Sequence, residues 1–240
     1  RDIVARYKRS TLGILWTMLN PLGTMVILTI VFSRLFNMRG VYPAYIITGL
    51  IAWTFFSHST LFAHTTTLRG SELYPKIYMP RTAFILSVVG GGVINYVFSL
   101  VPLILIFLVT KVALHPSALL LPFALLLLTM FTLGFSLLVS TAAVFFPDVA
   151  EFFPVLMTAW LYLTPIIYPE ELLMDILNGW VIKANPIYYL IRILRKILYD
   201  GVVPGGLDWL IAFLIAAGTL FIGWKVFTSK SNSFFMNSSE

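Results

Sequence analysis

Cysteine is absent from this chain, which excludes disulfides, cysteine-ligated metal centres and thiol catalysis. Charge is scarce too: Asp, Glu, Lys and Arg make up 11% of the 240 residues, about half the usual globular share. None occurs between Val112 and Pro147. A soluble domain of this length has nowhere to hide a sequence that is 59% hydrophobic. The phosphate-cradling Gly-x-x-x-x-Gly-Lys-Ser/Thr loop is missing, so any ATP must be handled by another chain. No contiguous basic face is visible, so the net charge of +6 does not point to nucleic acid. Tandem repeats and low-complexity tracts are also lacking. Runs such as Leu125-Leu126-Leu127-Leu128 break the alternation that a membrane β-barrel strand requires.

What is present is apolar sequence in blocks of about 20 residues, the length that crosses a hydrocarbon core as a helix. The blocks run over residues 16–36, 45–67, 82–110, 117–146, 152–168 and 209–228. Arg34, Arg69, Arg81, Lys111, Asp148 and Lys225 fall at block edges, as the cost of a charge at mid-membrane demands. These features predict an all-α integral membrane protein, one transmembrane domain over 1–240 with six transmembrane helices. With both termini cytoplasmic, the inside segments hold Arg1, Arg6, Lys8, Arg9, Arg69, Lys76, Arg81, Lys225 and Lys230. The short outside loops hold Arg34, Arg39 and Lys111, and the long one adds Lys183, Arg192, Arg195 and Lys196. The bias favours that orientation. The chain begins at Arg1, so part of the natural N-terminus is expected to precede it. The first block is too long for a cleavable signal peptide and has no small-residue cleavage site.

Three segments outside the blocks are informative. Residues 1–15 gather Ile3, Val4, Tyr7, Ile14 and Leu15 near one helical face, with Arg6 and Arg9 elsewhere. This predicts an amphipathic helix lying on the membrane surface, the alternative being a plain basic leader. Asn20-Pro21 is expected where that helix turns into the membrane. Residues 68–81 form a cytoplasmic connection in which Leu73, Tyr74, Ile77 and Tyr78 alternate with Glu72, Lys76 and Arg81. So many large apolar residues in a linker suggest a docking surface for a soluble partner, or a segment dipping into the headgroups. Residues 169–208 are too polar to span. They still carry an apolar stripe (Ile187, Leu190, Ile191, Leu194, Ile197, Leu198), with Arg192, Arg195 and Lys196 expected on the other side. A re-entrant segment, entering and leaving from the outside, fits that pattern, with breaks expected at Gly179, Asn185-Pro186 and Gly201.

Several of these residues carry a family likeness. Arg6-Tyr7-Lys8-Arg9-Ser10, Leu12-Gly13-Ile14-Leu15-Trp16 and Asn20-Pro21, then Gly49-Leu50, Trp53 and Phe55-Phe56, resemble the permeases of polysaccharide-exporting ABC transporters. Lys76-Ile77-Tyr78-Met79-Pro80-Arg81, Thr164-Pro165-Ile166-Ile167-Tyr168 and Asn185-Pro186 follow in that family's order. Phe146-Pro147-Asp148 departs from it, standing where members often have aromatic-Arg-Asp. The resemblance implies an exporter of lipid-linked glycan (O-antigen, capsule or teichoic acid) in the cytoplasmic, inner membrane of a bacterium. It implies a pair of such chains working with two copies of an ATP-binding subunit that carries the ATP and Mg, so this chain needs no cofactor and is no enzyme. Residues 68–81 would be the coupling segment, with Glu72, Leu73, Tyr74, Lys76, Ile77, Tyr78 and Arg81 against the ATPase.

Tyr45, Gly49, Trp53 and Phe56 recur at helical spacing; such a stripe either lines a glycan path by stacking on sugars or packs in the interior. Gly90-Gly91-Gly92 lacks a phosphate-loop lysine and reads as close helix packing. His58 and His64 are not spaced as ligands on one helical face, and no metal is expected. Glu170, Glu171 and Asp175 read as solvated charges. A drug or lipid exporter of the same superfamily is the alternative function. A membrane-embedded glycosyl or phosphoryl transferase would need active acids at the membrane border, such as Asp148 and Glu151.

Overall fold

The computed structural model describes residues 15–33, 41–70, 81–146, 148–175 and 179–230. All regular structure among them is helical: α1 (Leu15–Phe32), α2 (Tyr42–Gly70), α3 (Arg81–Thr110), a 3-10 turn (Pro116–Leu120), α4 (Leu121–Phe145), α5 (Asp148–Leu163), α6 (Glu170–Asp175), α7 (Trp180–Lys183), α8 (Pro186–Leu198) and α9 (Gly206–Lys230). By length and composition α2, α3, α4 and α9 can cross a membrane. The six-block expectation is met in part. The apolar stretch within α1 is shorter, and α5 ends at Leu163 where 152–168 was expected to continue. Pro165 explains that stop: its ring disfavours helical conformation at Thr164 and it has no N–H to give. The first expectation for Pro21 also needs correction, because α1 runs straight through it.

Amphipathy is inverted around α2. Its apolar window has a mean hydropathy of 1.4 and is 78% buried, whereas α3 reaches 2.4 with 28% buried. The least apolar span is the central one, because its neighbours and not lipid must be suited. Thr48, Ser57, Ser59, Thr60 and His64 of α2 are buried. Several satisfy themselves within the helix: the hydroxyls of Thr48 and Thr60 donate to the carbonyls of Ala44 (2.7 Å) and Phe56 (2.9 Å). The outer helices present large apolar side chains such as Leu108, Val109, Leu119, Leu207 and Phe221, a surface suited to lipid.

Close backbone approach sets the helix crossings. A Cβ on Gly134 of α4 would stand 2.5 Å from the Leu220 backbone of α9, and one on Gly223 would stand 2.2 Å from the Gly134 carbonyl oxygen. Within the Gly90–Gly92 run, a Cβ on Gly92 would lie 2.3 Å from Ser59 Oγ of α2, while one on Gly90 would meet nothing. The starts of α2, α4 and α9 lie at one end of the bundle, joined through α8 and the end of α5. At the other end the last residue of α9, Lys230, lies 5.8 Å over the Phe145 ring at the end of α4.

Candidate functional site

Where α5 stops, residues 164–168 run on without helix, and Thr164, Ile166 and Ile167 are almost wholly buried. Irregular backbone in such a place is stable only if its carbonyls find donors. Distant parts of the chain supply them. Arg195 of α8 donates from Nη1 to the Pro165 carbonyl at 2.8 Å and from Nη2 towards that of Ile166 at 3.5 Å. Two hydroxyls of α2 take the next carbonyls: Tyr42 bonds Ile167 at 2.6 Å and Tyr45 bonds Tyr168 at 3.0 Å. The Tyr168 hydroxyl itself bonds the Tyr162 carbonyl.

Asn185 fixes the other flank. Its amide donates to Thr164 Oγ1 (2.8 Å) and the Leu163 carbonyl (3.3 Å), and its oxygen accepts from the Trp160 indole (2.9 Å). Thr164-Pro165 and Asn185-Pro186, separate landmarks in the sequence, are therefore in contact. Pro186 opens α8 with its fixed φ. Ser117 of the 3-10 turn bonds the Ile197 carbonyl near the end of α8 at 2.8 Å. The loop and α8 thus form a plug clipped across the end of the bundle.

Arg195 is the centre of the clip and the residue that sequence reasoning placed wrongly. It was expected on the polar side of α8; it is 8% exposed, with its guanidinium carbon 3.9 Å from the centroid of the Tyr45 ring. Its position four residues after Ile191 and three before Leu198 puts it beside the apolar stripe, and that spacing was the available signal. Gly49 makes room: a Cβ there would stand 2.9 Å from Arg195 Nη2 and 3.3 Å from Ile166 Cγ2. The other cations of α8 have acids. Arg192 Nε lies 3.6 Å from Glu170, and Lys196 Nζ lies 2.7 Å from Asp208. Arg195 has no carboxylate within ion-pair distance among the described residues, and its Nε has no hydrogen-bond partner.

Glu170, expected to be merely solvated, also accepts the Tyr188 hydroxyl at 2.6 Å. Burial, followed by that bond, pushes the Tyr188 phenol well above its ordinary value. The expected aromatic stripe is a packed core. Tyr45, Trp53 and Phe56 are buried; Trp53 meets Trp160 edge-on at 6.2 Å, and Phe56 lies 5.4 Å from each of Phe131, Phe135 and Trp160. Stacking on a sugar requires a free ring face, and in this conformation those faces touch neighbouring rings. His64 is buried near Phe153 while His58 is exposed. Phe146 ends α4 and Asp148 begins α5. Glu72, Leu73, Tyr74, Lys76, Ile77 and Tyr78 lie outside the described residues, as do Arg6, Tyr7, Lys8 and Arg9, and of Arg81 only its place at the start of α3 is described.

A family model described as ABC-2 type transporter matches residues 1–199 of the chain. Among relatives, an "O-antigen export system permease protein RfbA" of Myxococcus xanthus is 27% identical over 238 residues, covering 98% of this chain and 91% of the relative. A protein of the same name from Klebsiella pneumoniae is 28% identical over 207 residues, 85% of this chain and 79% of its own. A second Klebsiella pneumoniae protein of that name is 28% identical over 205 residues, 84% and 78% respectively.

Proposed function

The chain belongs to the ABC-2 type transporter family, and from that premise we propose that it is the membrane subunit of an ATP-driven exporter of lipid-linked polysaccharide. The observation that carries this reading is the near end-to-end likeness to permeases named for O-antigen export. An integral membrane protein with several apolar helices and no nucleotide-binding loop of its own needs an ATP-binding partner to do such work. In this reading two copies of the chain flank the path, with α1 and α5 completing six spans and both termini in the cytoplasm of a bacterial inner membrane. Residues 68–81 dock the ATPase. The short α5 suits the scheme, because its 16 residues rise only about 24 Å and the clipped loop fills the remaining depth.

The test is export and co-purification in a strain lacking its own permease, with surface polysaccharide detected by antibody. Co-expression with the cognate ATPase should restore surface polysaccharide, and the two proteins should purify together. Buried apolar anchors usually dominate such interfaces over rim charges. Ile77→Asp should therefore abolish co-purification while Lys76→Ala weakens it less. Unimpaired binding and export by Ile77→Asp would remove this segment as the dock, and the absence of polysaccharide export with any ATPase would overturn the assignment.

A further inference from the structure

We propose that the approach to α4 (residues 111–120) and the approach to α9 (residues 201–207) form one apolar rim, which sits in lipid at the boundary between acyl chains and headgroups. The inference goes beyond the export reading and depends neither on the cargo nor on which leaflet that end of the bundle meets. The two approaches touch: a Cβ on Gly201 (φ 69°) would lie 2.2 Å from His115 Cδ2. Around that contact Leu114, Leu119, Phe123, Val202, Val203 and Leu207 are exposed, Leu119 at 84% and Val203 at 62%. Large apolar side chains grouped in this way mark a contact surface.

Charge and continuity identify what covers it. Residues 112–123 and 201–207 hold no Lys, Arg, Asp or Glu, whereas α6 to α8 at the same end carry Glu170, Glu171, Lys183, Arg192 and others. The rim also runs on into the apolar flanks of the spans. Leu119, Phe123 and Leu126 follow one another along α4, and Leu207, Leu210 and Leu214 along α9, all exposed at helical spacing. Phe123 meets Trp209 edge-on at 5.9 Å and joins the two flanks. A rim that prolongs two lipid-facing surfaces shares their solvent. Backbone sets the depth, since irregular chain in the hydrocarbon core needs every polar group satisfied. Some donors are spent: the N–H groups of Val112, Ala118 and Val202 reach the carbonyls of Phe107 (3.0 Å), His115 (3.0 Å) and Lys196 (2.9 Å). Pro116, Pro122 and Pro204 have none to spend. The remainder need water, which the boundary layer supplies and the core does not. Lys111 marks the same level. It ends α3 in left-handed backbone (φ 57°), and its exposed ammonium is placed to meet lipid phosphate while its stem stays among apolar groups.

The absence of cysteine makes single labels clean. Leu119→Cys, Val203→Cys and, on the charged side, Lys183→Cys are each coupled to a small fluorophore. The full chain is then placed in phosphatidylcholine nanodiscs, where solutes reach both faces. The quenchers are aqueous iodide and a lipid nitroxide carried near either the carbonyl end or the methyl end of the acyl chain. At 119 and 203 the carbonyl-end nitroxide should quench about twofold or more and iodide little, as befits groups at the boundary; at 183 the order should reverse. Iodide quenching at 119 and 203 equal to that at 183 puts the rim in water and overturns the proposal. Protection from both quenchers means that protein, such as a second copy, covers the rim, and overturns it equally. Stronger quenching from the methyl end places the rim in the hydrocarbon core and overturns the boundary depth. The unlabelled cysteines guard against a fluorophore that drags the loops into lipid. Alkylation proceeds through the thiolate, which forms in water, so a charged maleimide should modify 119 and 203 about tenfold more slowly than 183. Equal rates at the three positions would overturn the rim without any label.

Discussion

At the scale of single residues, the interior of this chain is held by rings and by hydroxyls that face their own helix. Trp53 is the sharpest case. It sits between Phe56 and Trp160, 5.6 and 6.2 Å from their ring centroids, and is almost inaccessible. Trp53→Ala would open a cavity, a change that costs about 3–5 kcal/mol in soluble cores. The expected outcome is a lower unfolding temperature in detergent, with export per folded molecule little changed; Trp53→Phe should be milder on both counts. A large fall in export per folded molecule at unchanged stability would instead assign the ring to sugar stacking. The sequence exposed the stripe at its helical spacing, but periodicity marks a face and does not say what the face meets. Arg195 was the opposite failure, since a cation beside an apolar stripe looks solvated until Tyr45 and two distant carbonyls close around it.

At the scale of elements, composition made α2, α3, α4 and α9 legible because long apolar runs have few alternatives in a bilayer. The fifth block was misjudged at its end: hydropathy does not distinguish a helix from an apolar loop, and the Pro165 signal was outweighed by Ile166 and Ile167. The breaks expected in 169–208 do fall between helices: Gly179, left-handed at φ 69°, precedes α7, Asn185-Pro186 opens α8, and Gly201, also at φ 69°, follows it. Helix crossings were legible only as scattered glycines. At the α4–α9 crossing, Gly134→Leu or Gly223→Leu must drive the backbones apart. Either should destabilise the protein by several times the about 1–3 kcal/mol typical of overpacking, or prevent its accumulation, measured as monodisperse protein after extraction. Gly90→Leu, at an exposed position where a Cβ meets nothing within 4 Å, should accumulate normally and serves as the control.

At the scale of the molecule, basic residues at the span ends set the expected orientation, and single-cysteine labelling is the direct measurement. Cysteine placed at Lys76 should react with an impermeant maleimide only from the cytoplasmic side, and cysteine at Lys183 only from outside. Labelling of both from one face would require an odd number of spans between them to be abandoned. Beside this stands the reversal of polarity described for α2. During synthesis it emerges before α3, α4 and α5, the helices that later bury its hydroxyls and His64. Left alone it is the span least able to partition from the translocon into lipid. Its residence in the bilayer therefore depends on helices not yet made, so a nascent chain ending near residue 75 should insert α2 poorly, and extension through residue 145 should rescue it. On that expectation integration is cooperative along the chain: the central helix is translated early and settles only once α3 and α4 have followed it.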